Sequence, residues 1–170
     1  MSGQRPIDEA LRTRIRSIQH LFLDVDGVMT DGGLYYDAHG ECMKRFHVLD
    51  GAGIKRLLKA GVGVGIISGR SHPSILARGQ ELGMSPVIVG REDKLEAFHA
   101  WLEGSGLVPA HCAHMGDDLP DLPLMRSVGV SFSVPHAIAE VRNAADWVTE
   151  RSGGEGAVRE VADLILSARS

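Results

Sequence analysis

Two carboxylates follow a short apolar segment near the start of the chain, and they are the first residues that could do chemistry. Residues 21–32 read LFLDVDGVMTDG, so Asp24 and Asp26 stand one residue apart at the end of a predicted buried strand. Burying an ion is costly unless a partner compensates its charge. The pair is therefore either a solvated strand end or a place where a positive group binds.

Other polar side chains follow three further predicted strands. They are Ser68 and Arg70, then Lys94, then the acidic group Asp117, Asp118 and Asp121. Because reactive groups in parallel sheets collect at the carboxyl ends of the strands, we expect all of these side chains at one edge.

A hydroxyl, cations and several carboxylates at one edge predict phosphoryl transfer. Carboxylates crowded around one point repel each other, and a divalent cation with hard oxygen ligands, Mg²⁺ rather than Zn²⁺, relieves this repulsion. Lys94 and the Ser68 hydroxyl can then bind phosphoryl oxygens. One carboxylate would attack phosphorus and another would protonate the leaving oxygen, and their spacing alone does not decide which does which.

Short apolar strands alternate with helices along almost the whole chain, which predicts a parallel sheet with helices on both faces. Asp50 is predicted to cap the helix that runs through residue 60. The predicted strands are 20–25, 62–68, 86–89, 112–115, 128–132 and 147–148; the predicted helices are 7–18, 50–60, 72–83, 93–103, 136–144 and 156–168. Residues 33–48 are predicted to form a β-hairpin that turns at residues 37–40.

The bulk properties indicate one globular domain over residues 1–170. The chain is 44% hydrophobic and carries a formal net charge of −4, which argues against nucleic-acid or anionic-membrane partners. Cys42 and Cys112 lie far apart and outside any C-x-x-C pair, as expected in a reducing compartment. The N-terminal segment lacks an apolar signal core, and we expect a cytoplasmic protein.

Two further patterns have ordinary interpretations. His111, Cys112 and His114 suggest zinc, but partners at metal spacing are missing, so strand packing is expected. Gly153, Gly154 and Gly156 are either a flexible lead into the last helix or part of a tail that closes over the active site.

Four motifs in order resemble those of the haloacid dehalogenase superfamily of phosphatases. They are hhhDxDGxxTD at 21–31, the hydroxyl residue Ser68, the lysine Lys94, and Gly116-Asp117-Asp118 with Asp121. The resemblance implies that Asp24 is the nucleophile and Asp26 the acid/base. It also implies that Mg²⁺ is held by Asp24, the Asp26 main-chain carbonyl and Asp117, with Asp118 and Asp121 in support.

The chain is most similar to a small subfamily without a cap domain that acts on a phosphorylated eight-carbon sugar acid, a precursor of the lipopolysaccharide core. The similarity covers DVDGVMTDGGLYY, FHVLDGAGIK, IISGR, GREDK, GDDLPDLP and GGEGAVREV. Leu49 departs from members that have arginine before the Asp-Gly pair. Arg70 is a candidate partner for the sugar carboxylate, because arginine matches carboxylates bidentately. The alternatives are a phosphatase for a nine-carbon sialic-acid-type phosphate and a non-catalytic partner domain of the same fold.

Apolar residues in the hairpin predict self-association. Consecutive apolar residues 34–36 place bulk on both faces of a strand, and one face then needs cover from outside. The apolar side chains are Leu34, Tyr35, Tyr36, Met43, Phe46 and Val48. The subfamily resemblance implies a homotetramer in which hairpins pack together and complete each other's active sites.

Overall fold

The computed structural model describes residues 7–170, so the first six residues of the predicted domain and of the N-terminal segment lie outside the described part. A six-stranded parallel sheet forms its centre, in the order β5-β4-β1-β6-β7-β8. The strands are β1 (His20–Leu23), β4 (Gly63–Ile67), β5 (Val87–Ile88), β6 (Cys112–Met115), β7 (Val130–Ser133) and β8 (Trp147–Val148). The predicted parallel sheet is confirmed.

Helices cover both faces of the sheet. They are α1 (Glu9–Arg16), α2 (Val48–Lys59), α3 (Pro73–Leu82), α4 (Lys94–Ser105), α5 (Leu122–Met125), α6 (Ala139–Ala144) and α7 (Ala157–Arg169). Side chains alternate across β1, so Leu21 and Leu23 join the main core, whereas Phe22 joins a smaller core with Phe98 and Leu124. The two apolar faces explain why β1 is apolar without interruption.

The inserted hairpin is confirmed, but it is shorter than predicted. Its strands are β2 (Tyr35–Asp37) and β3 (Gly40–Met43), which pair antiparallel between β1 and α2. Val48, predicted in the hairpin, is the first residue of α2. No cap domain is present within residues 7–170, and no helix there is long and apolar enough to cross a membrane.

The predicted capping role of Asp50 at α2 is wrong. His47, in extended conformation, caps α2, and its side chain accepts a hydrogen bond from the Leu49 amide. Asp50 lies buried in the first turn of α2, and its carboxylate accepts the Arg159 amide of α7 at 2.9 Å. Asp50 therefore caps a different helix from the one that contains it.

Candidate active site

The strand register brings the ends of β1, β4 and β6 side by side. Leu23 pairs with Ile66 on one side and with Met115 on the other. Asp24 follows directly, buried, and its amide donates to the Met115 carbonyl at 3.0 Å. Ser68 follows β4 at the same edge and is also buried. Motif residues that are far apart in the sequence are therefore close together in the structure.

A tight turn follows Asp24 and leaves room for a second acidic segment. The Val25 carbonyl accepts amides from Val28, Met29 and Thr30. Gly27 has a φ of +87°, and a Cβ at this position would collide with the Asp117 carboxylate. Glycine is needed here both for the positive φ and for the close approach of Asp117.

Lys94 forms ion pairs with two acidic residues of the site, Asp24 and Asp121. Its buried Nζ lies 2.8 Å from Oδ1 of Asp24 and 2.7 Å from Oδ1 of Asp121. Burial alone would lower the pKa of Lys94, but the charges of Asp24 and Asp121 raise it above its ordinary value. Lys94 is therefore held as a cation beside the predicted nucleophile.

Asp121 uses both of its carboxylate oxygens to organise the site. Oδ1 accepts from Lys94 and lies 2.8 Å from Nε2 of His114, while Oδ2 accepts the amides of Asp117 and Asp118 at 3.1 and 3.2 Å. Burial alone would raise the pKa of Asp121, but the hydrogen bonds from His114 and Lys94 lower it below its usual range. Asp121 thus orients its neighbours, and its role in supporting the metal ligands stays a prediction.

Three carboxylates form a cluster that fits a divalent cation. Oxygens of Asp24, Asp117 and Asp121 lie within 4.8 Å of one another. Burial, then the charges of Asp24 and Asp121, raises the pKa of Asp117 to about 8, and burial also raises the pKa of Asp24. A cation would relieve this repulsion, and all-oxygen donors suit Mg²⁺. Since the oxygens of Asp121 already have partners, Asp24 and Asp117 are the side chains available to hold the ion.

Asp118 does not join this cluster. It is exposed and caps the short 3₁₀ helix Leu119–Asp121, where its side chain accepts the Leu119 amide at 2.8 Å. Its contribution is to shape the turn that presents Asp117 and Asp121.

Asp26 faces the hairpin rather than the carboxylate cluster. Its Oδ1 is 2.6 Å from Nζ of Lys44, and its Oδ2 is 3.7 Å from Nε of Arg70. The two predicted catalytic carboxylates therefore have separate cationic partners, Lys94 for Asp24 and Lys44 for Asp26. This division suits two carboxylates with different tasks.

Arg70 already has an acidic partner within the chain. Its Nη2 donates to Oε2 of Glu41 at 2.9 Å, and Tyr36 Oη lies 3.5 Å away. His72 Nε2 lies 3.2 Å from the Glu41 carbonyl. Strand β3 is thus fastened to the segment after β4 at the mouth of the site.

Sequence reasoning missed Lys44, Glu41 and His114. The hairpin residues follow no motif and read as ordinary charges on a surface strand. His114 was expected to pack within its strand, and it does so, but its ring also contacts Asp121. A polar side chain at a buried strand position was the signal that could have identified His114.

The glycine-rich segment near the C-terminus packs against the turn after Asp24. The Gly154 amide donates to the Val28 carbonyl at 3.2 Å, and a Cβ on Gly153 would collide with the Gly27 carbonyl. Arg45 from the segment before α2 pairs with Glu155 at 2.8 Å. Within this chain, residues 153–155 therefore pack against the turn that follows Asp24.

Comparison with known proteins defines the class to which the chain belongs. A model described as haloacid dehalogenase-like hydrolase matches residues 87–161. The 3-deoxy-D-manno-octulosonate 8-phosphate phosphatase of Haemophilus influenzae is 41% identical over 94% of this chain and 88% of its own length. That of Escherichia coli K12 is 41% identical over 96% of this chain and 87% of its own length.

Solved structures agree. The 3-deoxy-D-manno-octulosonate 8-phosphate phosphatase of Moraxella catarrhalis, crystallised with a magnesium ion, a phosphate ion and a KDO molecule, has a TM-score of 0.90 and 40% identity, covering 93% of this chain and 91% of that chain. A probable phosphatase from Pseudomonas syringae has a TM-score of 0.93 and 44% identity, covering 96% of this chain and 93% of that chain. The chain belongs to the haloacid dehalogenase-like hydrolases and, within them, to the 3-deoxy-D-manno-octulosonate 8-phosphate phosphatase family.

Proposed function

We propose that this protein is a magnesium-dependent phosphatase that hydrolyses 3-deoxy-D-manno-octulosonate 8-phosphate to the free sugar acid and phosphate. The observation that carries the proposal is the cluster of Asp24 and Asp117 beside Lys94, in a chain that is 41% identical to phosphatases of this name. Asp24, Asp117 and the Asp26 main-chain carbonyl would hold the magnesium ion, which would supply positive charge to the phosphoryl oxygens.

The chain's own residues divide the reaction into two steps. A carboxylate oxygen of Asp24 attacks phosphorus, forming an aspartyl phosphate, while the bond from phosphorus to the sugar oxygen breaks and Asp26 donates a proton to that oxygen. Asp26 then accepts a proton from the water that attacks phosphorus, while the bond from phosphorus to the Asp24 oxygen breaks, which releases phosphate and restores the Asp24 carboxylate. Lys94 and the Ser68 hydroxyl bind phosphoryl oxygens, and Lys94 also fixes the orientation of Asp24.

Arg70 is proposed to bind the carboxylate of the sugar acid. Its side chain is 44% exposed at the mouth of the site, and its guanidinium is already paired with Glu41. An incoming carboxylate must therefore share the guanidinium fork with Glu41 or displace it. The hairpin would in this way take part in substrate selection without a cap domain.

The proposal is tested with a panel of phosphate esters and purified protein. Phosphate release is measured with and without Mg²⁺ for the eight-carbon sugar-acid phosphate, its nine-carbon sialic-acid-type analogue and neutral sugar phosphates. We expect the highest kcat/KM for the eight-carbon compound, dependence on Mg²⁺, and loss of turnover with retained fold in Asp24→Asn. A preference for the nine-carbon compound would reassign the substrate, and no turnover of any ester would indicate a binding domain.

The assembly and the cellular setting belong to the same proposal. We propose one domain over residues 1–170, a closed homotetramer, and a cytoplasmic role in supplying the lipopolysaccharide core. Exposure of Leu34, Tyr35, Tyr36 and Met43 on the hairpin supports association through this element. The free thiols of Cys42 and Cys112 are consistent with a reducing compartment.

A further inference from the structure

Lys44 is a buried cation that no motif of the chain explains. It follows β3 directly, its side chain is fully buried, and its Nζ lies 2.6 Å from Oδ1 of Asp26 and 2.6 Å from Oε1 of Glu41. A buried ammonium is tolerated when carboxylates compensate it, and here two do so. One of the two is the residue proposed to handle protons in the reaction.

Hydrogen bonds fix the backbone of the turn that carries Asp26, but the Asp26 side chain needs a partner to fix its direction. The Val25 carbonyl accepts three amides and thereby locks the chain on either side of Asp26. Within residues 7–170, two cations face Asp26: Lys44 is at hydrogen-bond distance, whereas Nε of Arg70 is 3.7 Å away. The position of the carboxylate therefore depends mainly on Lys44.

Lys44 is itself held in place by the hairpin. Glu41 binds Nζ of Lys44 with one carboxylate oxygen and Nη2 of Arg70 with the other. Its main-chain carbonyl lies 3.2 Å from Nε2 of His72, at the start of α3. The hairpin is thus fixed at Glu41, and Lys44 extends from this point to Asp26 of the same chain.

We propose that Lys44 is a positioning residue that aims the Asp26 carboxylate at the leaving-group oxygen. The proposal rests on the acid/base role proposed for Asp26. A general acid must lie within about 2.6–3.2 Å of the atom that it protonates, and an error of about 1 Å can cost about a hundredfold in rate. The hairpin then contributes to the chemical step of its own chain in addition to substrate selection.

The test uses two esters of nearly equal shape whose leaving groups differ, phenyl phosphate and 4-nitrophenyl phosphate. The variant Lys44→Met removes the charge and keeps the length, and Lys59→Met makes the same change at an exposed position of α2. We expect Lys44→Met to lower kcat for phenyl phosphate by about 10- to 100-fold and for 4-nitrophenyl phosphate by less than about threefold, because nitrophenolate leaves without a proton. Lys59→Met should leave both rates unchanged.

A double-variant cycle separates positioning from other roles. If Lys44 acts through Asp26, adding Lys44→Met to Asp26→Asn changes little further. Equal losses on both esters, or losses that multiply in the double variant, would overturn the proposal and indicate direct contact with the phosphoryl group or general support of the fold. If Lys44→Met does not fold, Lys44→Gln, which keeps a donor of shorter reach, is measured in the same way.

The same data distinguish failure of the acid role itself. Asp26→Asn alone should affect phenyl phosphate more than 4-nitrophenyl phosphate. If it does not, the acid role of Asp26 is wrong and the role of Lys44 is lost with it. If Asp26→Asn is selective and Lys44→Met is not, only the positioning proposal is wrong.

Discussion

Asp117 shows most directly what the carboxylate cluster costs the protein when no cation balances it. Burial and the neighbouring carboxylates raise its pKa to about 8 from an ordinary value near 4. The folded state therefore binds a proton more tightly than the unfolded chain does. Stability from this group is fully present below about pH 4 and is lost as pH rises toward about pH 8.

We expect Asp117→Asn to stabilise the metal-free protein at high pH. In the presence of a chelator, the Tm of Asp117→Asn minus that of the parent should grow between about pH 5 and pH 8 and reach about 5 °C. Adding Mg²⁺ should raise the Tm of the parent and have little effect on the variant. Thermal unfolding across pH measures both effects, with Glu103→Gln at an exposed position of α4 as the control. Parallel pH curves for parent and variant would contradict the expectation.

The variant Arg70→Ala tests whether the guanidinium of Arg70 selects the sugar-acid substrate. Because hydrogen bonds to charged groups contribute about 1.5–3 kcal/mol, Arg70→Ala should lower kcat/KM for the sugar-acid phosphate by about 10- to 100-fold. The loss for a small neutral phosphate ester should be much smaller, arising from the contacts of Arg70 with Asp26 and with Glu41, which holds Lys44.

Steady-state kinetics on both esters measure the difference. Arg56→Ala is the matched control, since Arg56 is also exposed and also paired with an acid, Asp163. Equal losses on the two esters in Arg70→Ala would show that Arg70 does not recognise the sugar carboxylate.

At the scale of elements, Asp50 links α2 to α7. Helix α7 begins after Gly156, which offers no side-chain cap, so its first amides need an acceptor from elsewhere. Asp50 supplies it by accepting the Arg159 amide at 2.9 Å. The segment before α7 also packs against the turn that follows Asp24. The cap that Asp50 provides to α7 therefore helps to hold this turn in place.

We expect Asp50→Ala to destabilise the fold by about 1–2 kcal/mol, the usual cost of losing a helix cap, which lowers Tm by about 2–8 °C at this chain length. Asp50→Asn keeps an acceptor and should lose less. Thermal unfolding and hydrogen exchange of the amides of residues 156–159 measure the effect, with Glu103→Ala as the control. Unchanged exchange at these amides would show that α7 does not depend on Asp50.

The sequence predicted the helices and strands well where the apolar periodicity and the turn-forming residues at the ends of a segment agree. The apolar pattern predicted the strand at Cys112–Met115 and the order of strands and helices. It also predicted β1, whose continuous apolar run is explained by burial on both faces. The start of α2 was predicted two residues late, because Asp50 is a common capping residue whereas His47 is not. Val48, which favours strands by propensity, lies in a helix because tertiary context overrides that preference.

The site was predictable to the extent that it follows strand ends. Asp24 and Asp117 meet because β1 and β6 are neighbours, and a parallel sheet implies this convergence. Lys44 and Glu41 were not predictable, because the way an inserted hairpin folds back over the sheet edge depends on contacts between distant side chains. The exposed-strand pattern of the hairpin gave no sign of a fully buried lysine.

At the scale of the whole molecule, the hairpin has both an inner and an outer face. Its inner side contacts the chain's own site through Lys44 and Glu41. Phe46, predicted to be displayed, is instead half-buried against the core, with the Arg78 guanidinium 5.9 Å from its ring centroid. Val48, at the start of α2, is exposed as predicted, and the exposed apolar side chains of the hairpin segment itself are Leu34, Tyr35, Tyr36 and Met43.

These four side chains make a testable case for a homotetramer that is closed through the hairpin. A two-stranded hairpin is marginally stable in water, and an exposed apolar patch on it needs cover from other copies. Tyr35 and Met43 face each other across the strands, so Tyr35→Lys combined with Met43→Glu removes apolar surface while keeping an attractive cross-strand pair. Val108→Lys is the control, because Val108 is exposed and lies before β6, at the edge of the sheet opposite the site.

Light scattering of the parent and of Val108→Lys should give the mass of four chains, and the double variant should give a smaller mass with lower activity. The activity falls because neighbouring copies no longer hold the hairpin over Asp26 and Arg70, although Asp24 and Lys94 stay in place. Loss of assembly should therefore affect phenyl phosphate more than 4-nitrophenyl phosphate, as expected for Lys44→Met. A parent protein that is fully active as a monomer would show that the outer face of the hairpin has another use.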